Sequence, residues 1–143
     1  MIHSLDLEQH LLGALIKYLE KYAEIENFID ESDFYADDNQ NHKTIFLALR
    51  QCIDQSADVD HVILAQRIQS FNISFPQDLN INDYIYSLSL RAISPSQVLS
   101  IAQELKKYSI RRTIYQAAQD VAKKIKKIPA SADFEEIIQT ADE

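Results

Sequence analysis

Ser94-Pro95-Ser96-Gln97-Val98-Leu99-Ser100-Ile101 opens the longest stretch of the chain without a helix breaker, which runs to Pro129. Serine suits the N-cap, proline the first helical position, and glutamine three residues after the cap can reach back to the cap's backbone N–H. A helix from Pro95 to about Lys127 would be roughly 50 Å long at 1.5 Å per residue. That exceeds the diameter of a small helical domain, so its far end is expected to project. Its apolar phase also changes. Val98, Ile101, Leu105 and Tyr108 form one stripe with 3–4 spacing, and Ile114, Ala118, Val121, Ile125 and Ile128 form a second. Arg111 and Arg112 stand at the changeover. A rigid helix with two stripe phases buries its halves against different partners.

Downstream, Pro129-Ala130-Ser131 reads as a turn, and Asp133 to Glu143 as an amphipathic helix carrying Phe134, Ile137, Ile138 and Ala141. The two segments make an antiparallel helical hairpin. A two-helix hairpin has a second apolar face that must meet another molecule or stay exposed. The last helix stops without a capping signal, so the segment reads as cut from something longer.

Upstream, helix signals dominate. Ser4 can cap a helix with Asp6 and Glu8 in its first turn and Leu5, Leu11, Leu12, Leu15, Ile16 and Leu19 on one face. A short helix is expected over Tyr22–Ile29, then a break at Asp30-Glu31-Ser32-Asp33 and a polar loop at Asp37–Asn41. A helix follows from about Asn41 to Gln55, with Ile45, Phe46, Leu49, Cys52 and Ile53 inward. Asp60 caps another, in which Val62, Ile63, Ala65, Ile68 and Phe71 are periodic. Residues 72–80, with Pro76, form a loop, and Asn82 caps a helix holding Tyr84, Ile85, Leu88 and Leu90. The fold class is therefore all-α: a globular head over 1–93 with about five to six helices, and a projecting hairpin over 94–143.

Composition narrows the function. In 143 residues there is one Gly and one Cys. A Walker loop or dinucleotide fingerprint needs two or three glycines, and tight-turned β folds consume them. One cysteine allows no disulfide framework and no multi-Cys zinc site. No membrane span or signal peptide is legible, so a cytoplasmic location is expected. The net charge of −8 is uneven: residues 1–60 carry thirteen acids against four bases, whereas 104–127 carry eight bases against two acids. Such a chain is a poor general nucleic-acid binder, and the basic rod beside an acidic head points to contact between protein surfaces.

No catalytic constellation emerges. Asp6 and His10 share a helix face but lack a third metal ligand. His3, His42 and His61 have no evident nucleophile to serve. Cys52 lies on an apolar stripe, which suits a core thiol. The carboxylates at Glu20, Glu24 and Glu26 sit on polar faces, and the seven tyrosines are too scattered for a base-stacking platform. No catalytic, cofactor-binding or metal residue is assigned.

Several motifs resemble one family in the correct order along nearly the whole chain. Glu8-Gln9-His10-Leu11-Leu12-Gly13 resembles the E-x-Q-x-x-L-G opening of the N-terminal domain of bacterial replicative DNA helicases of the DnaB type. Asp33-Phe34-Tyr35 matches the D-F-Y of that family, and His42…Ile45-Phe46 its H-x-x-I-F helix. Val59-Asp60, Tyr84…Leu88, and Ser94-Pro95 with Ser109-Ile110-Arg111-Arg112 and Ala117 resemble later landmarks. The loop before His42 is longer than usual, and Asn80-Ile81-Asn82 stands where Gly-Gly is common.

The resemblance implies a helical head with a hairpin that pairs between subunits, as a dimer or in a hexamer built as a trimer of dimers. It implies docking of the primase C-terminal domain and of a helicase loader, and an ATPase unit beyond residue 143 that binds ATP and Mg and makes most of the DNA contact. Arg111, Ile114, Tyr115, Ala118, Val121 and Ile125 would form the protein interface. Three other readings are weighed: a free-standing loader or regulator that mimics this domain, the helicase-binding domain of a primase, and a small hydrolase. The second lacks a claim to Asp33-Phe34-Tyr35 and His42…Phe46, and the third lacks a nucleophile–base pair.

Overall fold

The structure is a computed structural model that describes residues 2–35, 42–55, 59–71 and 79–142. Its elements are helices and turns: α1 Leu5–Lys17, α2 His42–Asp54, α3 His61–Gln69, α4 Ile81–Ser89, α5 Val98–Lys127 and α6 Phe134–Asp142, with 3-10 turns at Leu19–Glu24, Glu31–Asp33 and Pro95–Gln97. No strand occurs among the described residues. The polar run at 37–41 and most of the Pro76 loop fall outside them.

Capping chemistry starts the helices where polar side chains reach free amides. Ser4 accepts from the Leu7 amide at 3.3 Å, and Asp60 from Ile63 at 2.9 Å. For α4 the cap is Asn80, not Asn82: the Asn80 side chain accepts from the Asp83 amide at 3.2 Å. Ile81 is buried, so the chain must already be helical there to carry it into the core. The expected helix over Tyr22–Ile29 is instead a 3-10 turn at Leu19–Glu24 followed by turns, with Ile25 N–H donating to Tyr22 and Phe28 N–H to Ile25. Tyr22, Ile25 and Ile29 are all buried. Apolar residues three and four apart read as α-helical, yet successive i→i+3 turns bury the same residues.

The core is built by α1, α2, α3, α4 and the first half of α5, with Leu11, Leu12, Leu15, Phe34, Phe46, Leu49, Leu64, Ile85, Leu88 and Leu105 closed to solvent or nearly so. Two apolar expectations fail on α3 and α4. Val62 and Ile63 are exposed while Leu64, Ala65 and Ile68 turn inward, and Leu90 lies open past the end of α4. A nine-residue helix has one core-facing arc, and positions 64, 65 and 68 occupy it. Cys52 is buried, and burial pushes its thiol pKa up, which keeps it the unreactive core group expected.

The turn at Pro95–Gln97 is closed by Ser94 N–H donating to Gln97 Oε1 at 2.8 Å and Gln97 N–H donating to the Ser94 carbonyl at 3.0 Å. From it α5 runs as one helix of 30 residues. Val98, Ile101, Ala102, Leu105 and Ser109 are buried, and none of its later residues is. The far half meets α6, which starts where Asp133 accepts from the Glu136 amide at 2.9 Å. The lysines in the last turn of α5 complement the negative end of a long helix dipole.

Candidate functional site

The family-like motifs in the head prove to be internal struts. Glu8, on α1, is 1% exposed, and its Oε1 lies 2.9 Å from His42 Nδ1 and 3.2 Å from the Tyr35 backbone nitrogen. His42 Nε2 lies 2.5 Å from the Tyr84 hydroxyl, and that hydroxyl accepts from Gln9 Nε2 at 3.2 Å. The Tyr35 backbone N–H can only donate, so Glu8 Oε1 is an acceptor at that contact. This network ties α1, α2 and α4 together inside the head. Burial raises the Tyr84 pKa, which removes it as a ready acid–base group near neutrality.

Asp6 and His10 are also accounted for. Arg91 donates from Nε to His10 Nδ1 at 2.7 Å and from Nη1 to Gln9 Oε1 at 2.9 Å, and its Nη2 pairs with Asp6. A guanidinium thus stands where the sequence offered an incomplete metal site. Among the described residues no group of three or more His, Cys, Asp or Glu is placed to hold a metal.

Where α5 leaves the head, two cations anchor it to the 30–35 segment. Asp30 and Asp33 shape that segment: the Ser32 amide donates to Asp30, and Asp33 accepts from the Asp30 amide, each at 2.9 Å. The Ser32 hydroxyl and amide hold the Asp30 carboxyl below its usual pKa. Asp33 is wholly buried and pairs with Lys106 Nζ at 3.0 Å. Arg112 donates to the carbonyls of Ile2 at 3.0 Å and Asp33 at 3.1 Å, and its guanidinium lies 5.8 Å from the Tyr35 ring centre. Tyr35 in turn stacks on His3.

The neighbouring Arg111, which the sequence offered as an interface residue, points elsewhere. It is exposed and lies over the Tyr108 ring of its own helix. Periodicity could not separate the two arginines, since either can stand at a stripe boundary. Arg112→Ala is expected to cost about 1.5–3 kcal/mol, because it removes a charged donor from backbone carbonyls. Arg111→Ala should stay within about 0.5 kcal/mol. Urea unfolding of both variants tests this, and a larger loss for Arg111 would overturn the placement.

Beyond the joint, the expected interface residues separate. Ile114 is 63% exposed, Tyr115 46% and Ile125 39%, and Ala118 is exposed with them. Val121, in the half of α5 that meets α6, and Ile128, at the C-cap of α5, are half-buried. The second stripe therefore divides: part closes the hairpin, and the rest is left bare. On α6, Phe134, Ile137 and Ile138 are exposed as well. The hairpin offers a large uncovered apolar surface that α6 does not fill. The signal for it was the phase change along α5.

Three comparisons bear on this architecture. Residues 1–107 match the family described as DnaB-like helicase N terminal domain. The chain is 27% identical over 120 residues, 84% of its length, to the replicative DNA helicase DnaB of Pasteurella multocida (strain Pm70), of which that match spans 25%. Its fold superimposes on the crystal structure of the N-terminal domain of DnaB helicase from Mycobacterium tuberculosis with a TM-score of 0.82, covering 99% of this chain and 94% of the other. At 17% identity that likeness is one of fold. Among the described residues no helix is long and apolar enough to cross a membrane.

Proposed function

Because the chain belongs to the DnaB-like helicase N-terminal domain family, we propose that it is the collar module of a hexameric replicative DNA helicase, assembling subunits through its hairpin. The observation that carries this reading is the bare apolar surface of the hairpin: Ile114, Tyr115 and Ile125 on α5, with Phe134, Ile137 and Ile138 on α6. A second copy of the same hairpin would cover both surfaces at once, as a symmetric pair does. In the whole protein such pairs would combine as a trimer of dimers.

The collar would also receive the primase C-terminal domain and a helicase loader. ATP and Mg would bind in an ATPase unit beyond residue 143, which would supply the helicase activity and most of the DNA contact. The module itself would be non-catalytic, acting by assembly alone. The chain spans about a quarter of the length of the relative it matches, so these roles belong to the whole-protein proposal.

The test is association. Ile114→Glu combined with Ala118→Glu places carboxylates in the middle of the proposed interface without touching the half-buried Val121, whose loss would also loosen the hairpin. An unpaired buried charge costs roughly 3–5 kcal/mol, so the dimer should dissociate at concentrations where the parent chain associates. Sedimentation velocity reads the mass, and circular dichroism checks that the head stays folded. Unchanged sedimentation with an intact fold would remove the hairpin from the interface.

A further inference from the structure

The head carries a second apolar surface that the hairpin reading does not use. α3 and α4 lie side by side and leave a cleft of about 450 Å³ lined by His61, Val62, Gln66, Asn82, Asp83 and Tyr86. Val62 is 50% exposed and Tyr86 47%, and Leu90 stands open one turn beyond Tyr86. The Tyr86 ring is steadied by His61, with centroids 4.8 Å apart.

Charge defines the occupant. Asp83 lines the cleft and Asp60 stands exposed at the start of α3, while among the described residues no Lys or Arg lines it. The nearby cations are engaged elsewhere: Arg67 on α3 with Gln55 at 2.7 Å, and Arg91, just past α4, with Asp6, Gln9 and His10. Gln66 and Asn82 add amides on the walls. Each helix is nine residues long, so the cleft matches about two and a half turns of a ligand helix.

We propose that this cleft is a docking groove for a basic amphipathic helix of another protein. Its large apolar residues, spaced i, i+3 or i+4 and i+7, would seat against Val62, Tyr86 and Leu90, and its Lys or Arg flanks would face Asp60 and Asp83. The acidic rim rejects the Glu-bearing polar face of α6 from a second copy. Occupancy of this groove does not depend on hairpin pairing.

The probe is a synthetic leucine–lysine helical peptide of about 18 residues, five turns, with leucines at 3–4 spacing. A control keeps the leucines and replaces every lysine by glutamate. Added to the isotopically labelled full chain, the lysine peptide should shift the backbone amides of 61–69 and 81–90 saturably, and the glutamate peptide should leave them in place. Asp60→Asn with Asp83→Asn keeps a capping side chain on α3 and should raise Kd about three- to tenfold. Leu90→Ser should weaken binding further. Equal binding of the glutamate peptide, indifference to the Asn variants, or shifts confined to the hairpin would each overturn the proposal. So would shifts in α3 and α4 on raising the protein concentration alone, which would make a second copy the occupant.

Discussion

Gly13→Ala is expected to destabilise the domain by about 2 kcal/mol, although alanine is the better helix former by about 1 kcal/mol. A Cβ at position 13 would stand 2.3 Å from the Leu88 carbonyl oxygen and 3.2 Å from its carbon. The obstacle is backbone, so no rotamer change relieves it. α1 and α4 would have to separate, and Leu88 on α4 is buried. For a chain of this size the loss corresponds to a Tm lower by roughly 6–8 °C. A calorimetric Tm equal to or above that of the parent would mean that the two helices are not in backbone contact at Gly13.

The second large effect is expected at the buried network. Glu8→Ala leaves His42 Nδ1 and the Tyr35 backbone N–H without their partner inside the head. Each buried polar group left without its partner costs roughly 1–3 kcal/mol. The position is sensitive because Oε2 of Glu8 has no partner among the described residues, so Oε1 alone offsets the burial of the carboxylate. His42→Ala should cost a similar amount by freeing Glu8. In the double variant the loss should fall short of the sum by about 1–3 kcal/mol, since both changes break the same contact. Guanidinium unfolding of the four chains gives the coupling, and strictly additive losses would show that Glu8 and His42 do not depend on each other.

These positions explain why the family-like motifs were visible before their purpose was. Glu8, Gly13, Asp33, His42 and Tyr84 all stand at family-like spacings in the sequence. In the structure each has a packing or strut role: Gly13 lets two backbones meet, Glu8, His42 and Tyr84 hold three helices, and Asp33 anchors α5. The hairpin face was more directly legible, because a change of apolar phase within one unbroken helix is a local pattern. Its division between Val121, half-buried, and the bare Ile114 was not, since that depends on where α6 lies.

The sequence by itself determined the all-α class, the start of the long helix at Ser94-Pro95-Gln97, its end before Pro129, and the hairpin that follows. Caps, prolines and apolar period act within a turn or two of the chain, so they can be read without knowing the fold. Only the tertiary structure decided that Arg112 rather than Arg111 anchors the joint, that Val62 and Leu90 face outward, and that Glu8 meets His42. Those outcomes join residues up to 110 positions apart, or turn on which arc of a short helix faces the core. Periodicity states that a helix has an apolar side. The angle and depth at which helices dock determine which residues of that side are covered, and by what.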